Sequence, residues 1–411
     1  MITPHAVPAQ SAKNMHVLII PSWYPAYGGD VRGSFFREQA LALFKHGCRV
    51  GVIYPQRRPL RQWKAVFTGR YGIEVEHDCG MPTYRLHGVK WFPRMPDLAL
   101  RLWVKDGLRL FEEYVKTHGT PDVVHAHSVL NAGLLAEKIK QRYGVPFVIT
   151  EHSSAYAREL ISPEGLDVVR RVILSADRLF AVSNEFCELL GAKLGEGREW
   201  EFMPNIVNEA FLSARRSVSS TSFRFINVAF AGEKKRQRNI ITAFAAEFRE
   251  SPHVHLLIGG DGPALESLKN LAKDLRVEGQ VLFPGRLTRT QVLEEMGRSN
   301  AFVLSSQYET FGVVLVEALA LGLPVIATRC GGPESIVRPK DGILVPVEDV
   351  EALAKAMRHV YDHQSEYQVE EIREACRARY SEQSVALRLM GEYQAVCAAN
   401  RNNQPPESVF A

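Results

Sequence analysis

Two successive series of short apolar strands alternating with helices predict an α/β protein of two doubly wound, Rossmann-like domains facing across a cleft. The first series opens with His16-Val17-Leu18-Ile19-Ile20, a helix over 34–46 stopped by Gly47, and a strand over 49–54. That βαβ opening implies a parallel sheet covered by helices. The second series opens with Phe225-Ile226-Asn227-Val228-Ala229-Phe230 and repeats the alternation. Length agrees, since 411 residues exceed one ordinary core at roughly 150 residues per domain.

In chain order, strands over 122–127, 146–150 and 179–183 and a helix over 132–143 extend the first series. It ends at Phe202-Met203-Pro204-Asn205, and the Ser/Arg-rich stretch 215–222 reads as a linker. The second series continues with a helix over 239–248, strands over 254–258, 280–283, 300–304 and 324–327, and a helix over 350–361. Segment 1–14 has no apolar h-region and is expected to be a disordered leader. The domains are then 15–207 and 208–380, and a helix within 381–411 is assigned to pack back on the first domain, although nothing local demands it.

Composition excludes several classes of function. Hydrophobic residues at 46% and charged residues at 23% are those of a soluble globular protein. A net charge of +4 gives nucleic-acid binding no support. Six cysteines without a CxxC pair fit reduced thiols in the cytoplasm and give neither a zinc site nor a disulfide framework. No apolar run of about twenty residues is present to span a membrane.

One region has two readings. Arg57, Arg58, Arg61, Lys64 and Arg70 fall in a stretch without acidic residues, followed by Trp91, Phe92, Arg94 and Trp103. Basic residues beside aromatics suit an anionic membrane surface, which would place the protein peripherally at the cytoplasmic face of the inner membrane. The plainer reading is a variable loop and helix covering the cleft.

The chemistry centres on residues 300–318. The apolar run Asn300-Ala301-Phe302-Val303-Leu304 is a buried strand, and good helix formers follow up to Gly322 and Pro324. The chain therefore turns through Gln307-Tyr308-Glu309 and is expected to start a helix near Thr310 or Phe311. Such a start points backbone N–H groups and a positive dipole at an anion. Glu309 stands at the turn, and Glu317 lies about two turns on; carboxylates there accept hydroxyl hydrogens, as a sugar attached to a phosphate requires.

Glu309-Thr310-Phe311-Gly312 with Glu317-Ala318 matches an E-x7-E element. Around it stand Gly259-Gly260-Asp261-Gly262-Pro263, Phe283-Pro284-Gly285-Arg286-Leu287, Gly322-Leu323-Pro324-Val325-Ile326-Ala327 and Gly331-Gly332-Pro333-Glu334. In this ordered set the chain resembles the retaining glycosyltransferases of family 4, which have the GT-B fold. The resemblance implies that Glu309 holds donor-sugar hydroxyls and that Glu317 holds the ribose. It gives the backbone of Phe311, Gly312 and Val313 to the sugar and diphosphate, and the backbone of Gly285, Arg286 and Leu287 to the base.

Relatives carry an Arg and, five residues on, a Lys that neutralise the diphosphate. Counted back from Ala243-Phe244, Lys235 takes the Lys place, while Phe230 stands in the Arg place. Lys234, Arg236 or Arg238 remain open as the second charge. In the first domain, Gly28 and Gly29 stand where relatives keep a glycine-rich loop for the donor phosphate or acceptor. No histidine follows that loop at the commoner GG-x3-H spacing. His125 and His127 alternate on one strand face; with no third ligand at useful spacing a metal pair is set aside, and His127 is placed at the cleft. Thr150-Glu151-His152 resembles the family's Thr-x-His, so His152 is expected near the reacting sugar as the first domain's catalytic residue. Ser183-Asn184 and Asn205 match family positions at the domain junction and cleft.

There is no Asp-x-Asp to hold a divalent ion on a diphosphate, and Lys235 with the helix start would do that neutralising work. No metal and no cofactor are expected. The expected reaction is transfer of a sugar from a nucleoside-diphosphate sugar to a saccharide or lipid-linked saccharide acceptor, with retention and with domain closure excluding water. An epimerase of the same fold, or a catalytically silent nucleotide-sugar-binding partner, is the alternative. A nicotinamide oxidoreductase is excluded, because Pro21-Ser22-Trp23-Tyr24-Pro25 follows the first strand in place of G-x-G-x-x-G.

Overall fold

The computed structural model describes residues 14–403 apart from 26–32, 61–63, 65–66, 68, 93, 196 and 219–220. The expected leader (Asn14 apart) and the glycine pair Gly28 and Gly29 lie outside the described residues.

Two compact units emerge, one comprising Met1–Val182, Cys187–Met203 and Val385–Ala411, the other Ser183–Phe186 and Pro204–Ser384. The first contains an eight-stranded sheet of β1 (His16–Pro21), β2 (Arg49–Pro59), β3 (Gly72–Asp78), β4 (Met81–Lys90), β5 (Val123–His127), β6 (Phe147–Glu151), β7 (Arg178–Ala181) and β8 (Glu201–Phe202). Its order is β3-β4-β2-β1-β5-β6-β7-β8, and every pairing is parallel except β3 with β4. The apolar run of β1 is buried throughout, as a central parallel strand requires. Strands β5 and β6 are equally buried, yet they carry His125, His127, Thr150 and Glu151 towards their carboxyl ends.

The described residues of region 57–103 are mostly strand together with the start of the helix Pro96–His118. Strand β2 runs on to Pro59, and β3 and β4 form a hairpin on the sheet's edge. Its turn has Cys79 at φ 51° and Gly80 at φ 92°, positive at both central positions as a tight hairpin needs. Arg57 is paired with Asp106 at 2.5 Å and Trp103 is buried, so both leave the proposed basic–aromatic surface. Trp91 and Phe92 remain exposed.

From Val385 onward the helix Glu382–Asn403 belongs to the first unit, with Val385, Leu389, Tyr393 and Val396 buried along one face. Residues 204–207 belong to the second unit instead of closing the first at 207: the Val207 amide donates to the Tyr380 carbonyl at 2.9 Å.

The second unit holds β9 (Phe223–Val228), β10 (Val254–Gly259), β11 (Val281–Gly285), β12 (Ala301–Leu304), β13 (Val325–Thr328) and β14 (Gly342–Val345). All are parallel, in the order β11-β10-β9-β12-β13-β14. Counted within the unit this is 3-2-1-4-5-6, the doubly wound order in which ligands bind where the order reverses. Here the reversal lies between β9 and β12, so the segments leaving those two strands are where a ligand is expected. Phe225, Phe244 and Phe248 anchor the core beneath.

Candidate active site

Residues 229–236 leave β9 and residues 305–312 leave β12, and the two segments are tied together. Ser305 Oγ donates to the carbonyls of Lys235 (2.8 Å) and Arg236 (2.9 Å). The Gln307 amide donates to the Lys234 carbonyl at 2.8 Å. These bonds bring Lys235 Nζ within 2.5 Å of Glu309 Oε1, which also accepts from Ser306 Oγ at 2.6 Å. Thr328 Oγ1 steadies the loop from β13 by donating to the Ser306 carbonyl at 2.6 Å.

The helix that follows spans Val313–Ala320, two to three residues later than the sequence suggests. The cause is Gly312, whose φ of 107° is left-handed backbone that cannot join a helix. Thr310 and Phe311 therefore lie in the loop, and Glu317 stands on the helix's second turn. The Leu315 amide makes the first intrahelical bond, to the Gly312 carbonyl at 2.9 Å, so the amides of Val313 and Val314 precede the ladder.

Gly331 and Gly332 press against this loop. The Gly332 amide donates to the Glu309 carbonyl at 2.7 Å, and the Glu309 amide donates to the Cys330 carbonyl at 2.9 Å. A Cβ on Gly332 would lie 2.1 Å from the Phe311 carbonyl oxygen, so only glycine permits the approach. Burial raises the Cys330 thiol to about 12, the Tyr308 hydroxyl beside it to about 12, and the Glu334 carboxyl above the usual range.

Glu317 is almost fully buried and pairs with Arg289 at 2.7 Å. Arg289 begins the helix Arg289–Gly297, which Thr288 and Gln291 cap reciprocally, and its guanidinium also lies 5.4 Å over the Phe211 ring. Gly285 and Leu287 lie beside the 259–262 loop: the Gly260 amide donates to the Gly285 carbonyl at 2.8 Å, and Leu287 packs over Gly259. Arg286 is exposed.

Phe230 is 62% exposed, so its place by family register is filled by a solvent-facing ring. Of the three residues open as a second charge, Arg236 is paired with Glu348 at 2.7 Å. Arg236 and Arg238 line a pocket of about 480 Å³ with Pro263 and Ser267, and Lys235 is not among its lining residues.

In the first unit, the ends of β5 and β6 hold a buried histidine cluster. His127 Nδ1 and His152 Nε2 share a hydrogen bond of 3.1 Å. Phe36 packs on both rings, at 4.7 and 4.9 Å, and Phe35 on His152 at 5.0 Å. His125 bonds Thr150 Oγ1 (2.8 Å) and the Tyr393 hydroxyl of the C-terminal helix (2.7 Å). Burial holds His125 and His152 down at about 3 and His127 well below its usual value, so all three imidazoles are neutral at physiological pH. His127 is fully buried, and Asn205, in the second unit, is nearly so.

Sequence reasoning did not single out Glu151. Its Oε1 accepts the amides of His152 and Ser153 (both 2.8 Å), and its Oε2 accepts the amide of Val129 (2.8 Å) and the Tyr156 hydroxyl (3.3 Å). One buried carboxylate thus fixes the loops after β5 and β6 and sets the position of His152, while burial raises its pKa. Its polar place inside Phe147-Val148-Ile149-Thr150-Glu151 was the available signal. Among the described residues no group of three or more His, Cys, Asp or Glu is placed to hold a metal ion, and no helix is long and apolar enough to cross a membrane.

The Lys–Glu pair and the helix start stand at the switch point of a doubly wound sheet, where such sheets take their ligands. Residues 33–211 match the family described as Glycosyltransferase Family 4, and residues 211–379 that described as Glycosyl transferases group 1. The chain belongs to this family of GT-B glycosyltransferases, whose members are in general retaining and metal-independent. It is 26% identical over 404 residues (93% of this chain, 99% of the relative) to a protein described as a teichuronic acid biosynthesis glycosyltransferase, TuaC, of Bacillus subtilis strain 168. It is 28% identical over 332 residues (76% and 82%) to a GDP-mannose-dependent alpha-mannosyltransferase of Mycobacterium tuberculosis. In fold it matches sucrose-phosphate synthase of Thermosynechococcus elongatus, with a TM-score of 0.74 at 20% identity over 93% of this chain and all of that one. Anabaena HepE in complex with UDP gives 0.71 at 17% identity, over 93% and 100%.

Proposed function

We propose that this glycosyltransferase moves a hexose from a nucleoside diphosphate to an acceptor hydroxyl in the assembly of a surface polysaccharide or glycolipid. The observation that carries the reading is the Lys235–Glu309 pair, held at 2.5 Å at the switch point of the second sheet and beside the helix start at Val313. In this reading the sugar's hydroxyls take over the Glu309 carboxylate on donor binding, and Lys235 turns to the diphosphate. The amides of Phe311, Gly312 and Val313 receive the remaining negative charge, and Glu317, oriented by Arg289, accepts from the ribose. Backbone at Gly285, Arg286 and Leu287 lies against the base.

As the glycosidic bond breaks, charge grows on the leaving phosphate, where Lys235 and the helix start stabilise it in a preorganised way. By the family resemblance His152 is the first unit's residue assigned to the sugar, and it offers a neutral imidazole able to accept or donate a hydrogen bond. No side chain is assigned as a covalent nucleophile; the acceptor attacks on the face that the leaving group vacates and passes its proton to the departing phosphate oxygen.

A surface-polymer acceptor is supported by the teichuronic acid relative and by a lipopolysaccharide core relative, LpsE of Rhizobium meliloti, 35% identical over 129 residues. The exposed Trp91 and Phe92 support peripheral contact with the cytoplasmic face of a membrane. UDP-glucose is the first donor to test, since HepE was crystallised with UDP-glucose.

The test is release of nucleoside diphosphate from a panel of UDP-, GDP- and ADP-sugars by the purified full chain, with and without acceptor. Turnover that is lost in both Glu309→Gln and Lys235→Ala supports the assignment; near-wild-type turnover in both overturns it. The solvent-facing Phe230 in the Arg place favours the second reading, a silent nucleotide-sugar-binding partner. Tight donor binding with no turnover on any sugar would decide for it.

A further inference from the structure

We propose that the first unit carries a groove for an anionic phospholipid at a bilayer surface, separate from the residues assigned to transfer. The groove is built on the helix Pro96–His118. Leu100, Val104 and Leu108 recur every fourth residue and form one stripe; Arg101, Lys105 and Arg109 form the stripe beside it. Facing helices Leu134–Tyr143 and Pro163–Ser175 close a volume of about 720 Å³, whose apolar floor Leu134 and Val168 complete.

Charge around that floor is lopsided. Lys138, Arg142 and Arg171 join the three cations of the first helix, against three acids, Asp97, Glu112 and Glu164, among the described residues lining the groove. Arg142 is engaged by Glu112 and Arg171 by Glu137, each at 3.3 Å. Among the described residues Arg101, Lys105 and Arg109 make no ion pair. Three uncommitted cations beside an apolar trough match a ligand with both an acyl chain and a phosphate. A nucleic acid or an acidic peptide would satisfy the cations and leave the trough empty.

The approach to the groove fits the same occupant. Trp91, Phe92 and Met95, exposed by 56%, 41% and 54%, stand immediately before Pro96. Aromatic side chains of this kind settle at the headgroup level of a membrane, beside the basic residues that meet its phosphates.

The experiment is flotation of the full chain with phosphatidylcholine vesicles prepared with and without phosphatidylglycerol. Binding is expected only when phosphatidylglycerol is present, with a blue shift of tryptophan emission that Trp91→Phe removes. Each basic residue near an anionic surface contributes about fivefold, so Arg101→Gln with Lys105→Gln and Arg109→Gln should weaken binding about a hundredfold. Leu100→Asn with Leu108→Asn, which leaves the charge unchanged, should weaken it about tenfold. Lys269→Gln with Lys273→Gln, solvent-facing in the second unit, should float as wild type, and circular dichroism reports folding in each. No flotation on phosphatidylglycerol, or wild-type flotation of the triple glutamine variant, overturns the proposal. So does wild-type flotation of the leucine pair, which would mark a plain charge patch. Vesicle binding is read without any sugar donor, so a failure of the transferase reading leaves this result intact.

Discussion

Lys235 Nζ and Ser306 Oγ converge on a single oxygen of Glu309, at 2.5 and 2.6 Å. The serine bond is local, three residues apart in one turn, but the lysine bond is not: the lysine comes from the turn after β9 and the glutamate from the turn after β12. Removing the lysine should therefore cost chemistry far more than fold. Lys235→Ala should lower kcat by about a hundredfold or more, the usual loss when one preorganised charge partner of a leaving group is deleted. An ion pair still open to solvent on the lysine side is worth about 1 kcal/mol, so thermal unfolding should move little.

Arg289→Ala should behave in the opposite way. Glu317 is 3% exposed, and losing the cation 2.7 Å away leaves a buried carboxylate short of its charge partner. A loss of about 3 kcal/mol is expected, read by denaturant titration. Glu317→Gln, which removes the charge instead, should be tolerated in stability and raise KM for the donor more than it lowers kcat.

Gly332→Ala forces a methyl to within 2.1 Å of the Phe311 carbonyl oxygen, where backbone must move. A destabilisation of about 2 kcal/mol or more is expected, together with loss of turnover, because the displaced segment carries Glu309. Gly279→Ala, where an added methyl meets open space, is the control and should be neutral.

The buried histidines make a pH prediction. His125 and His152 fall from 6.5 unfolded to about 3 folded, and burial also holds His127 well below 6.5, so the unfolded chain binds more protons as pH drops below 6.5. Stability is then full above pH 6.5 and is lost on acidification towards the folded values, by roughly 1.4 kcal/mol per pH unit for each histidine. Glu151 works the other way, since burial raises its pKa and favours the folded state at pH values where it is protonated. Melting temperatures between pH 7 and 5 should fall steeply in the wild type, and less steeply in His125→Gln.

Phe230→Arg is a gain-of-function test. The side chain is 62% exposed, so the change should not disturb the core. In the family register the new guanidinium meets the diphosphate, and donor affinity measured by calorimetry should rise about tenfold; unchanged affinity would count against that register.

Periodicity and turn chemistry made the two sheets legible, and the order of motifs made the E-x7-E loop legible. What remained hidden depended on partners far away in sequence. Arg289 and Glu317 are brought together by sheet order, and His125 finds Tyr393 across 268 residues. The helix start moved from Thr310 or Phe311 to Val313 because propensity does not encode the φ of Gly312. The β3–β4 hairpin escaped notice because its turn is Cys79-Gly80, without the Asn or Asp that usually marks such a turn. Arg57 and Trp103 looked like surface chemistry until Asp106 and the sheet claimed them.

The helix Glu382–Asn403 has a consequence for the order in which the protein is made. Tyr393, fully buried against His125, leaves the ribosome long after the strands of the unit that it completes. Residues 204–384 can close their own sheet while that earlier unit still waits for its final face. Against the usual N-terminal-first order, the part translated second can be completed first, and a nascent chain stalled before residue 385 is expected to hold a finished second unit and an open first one.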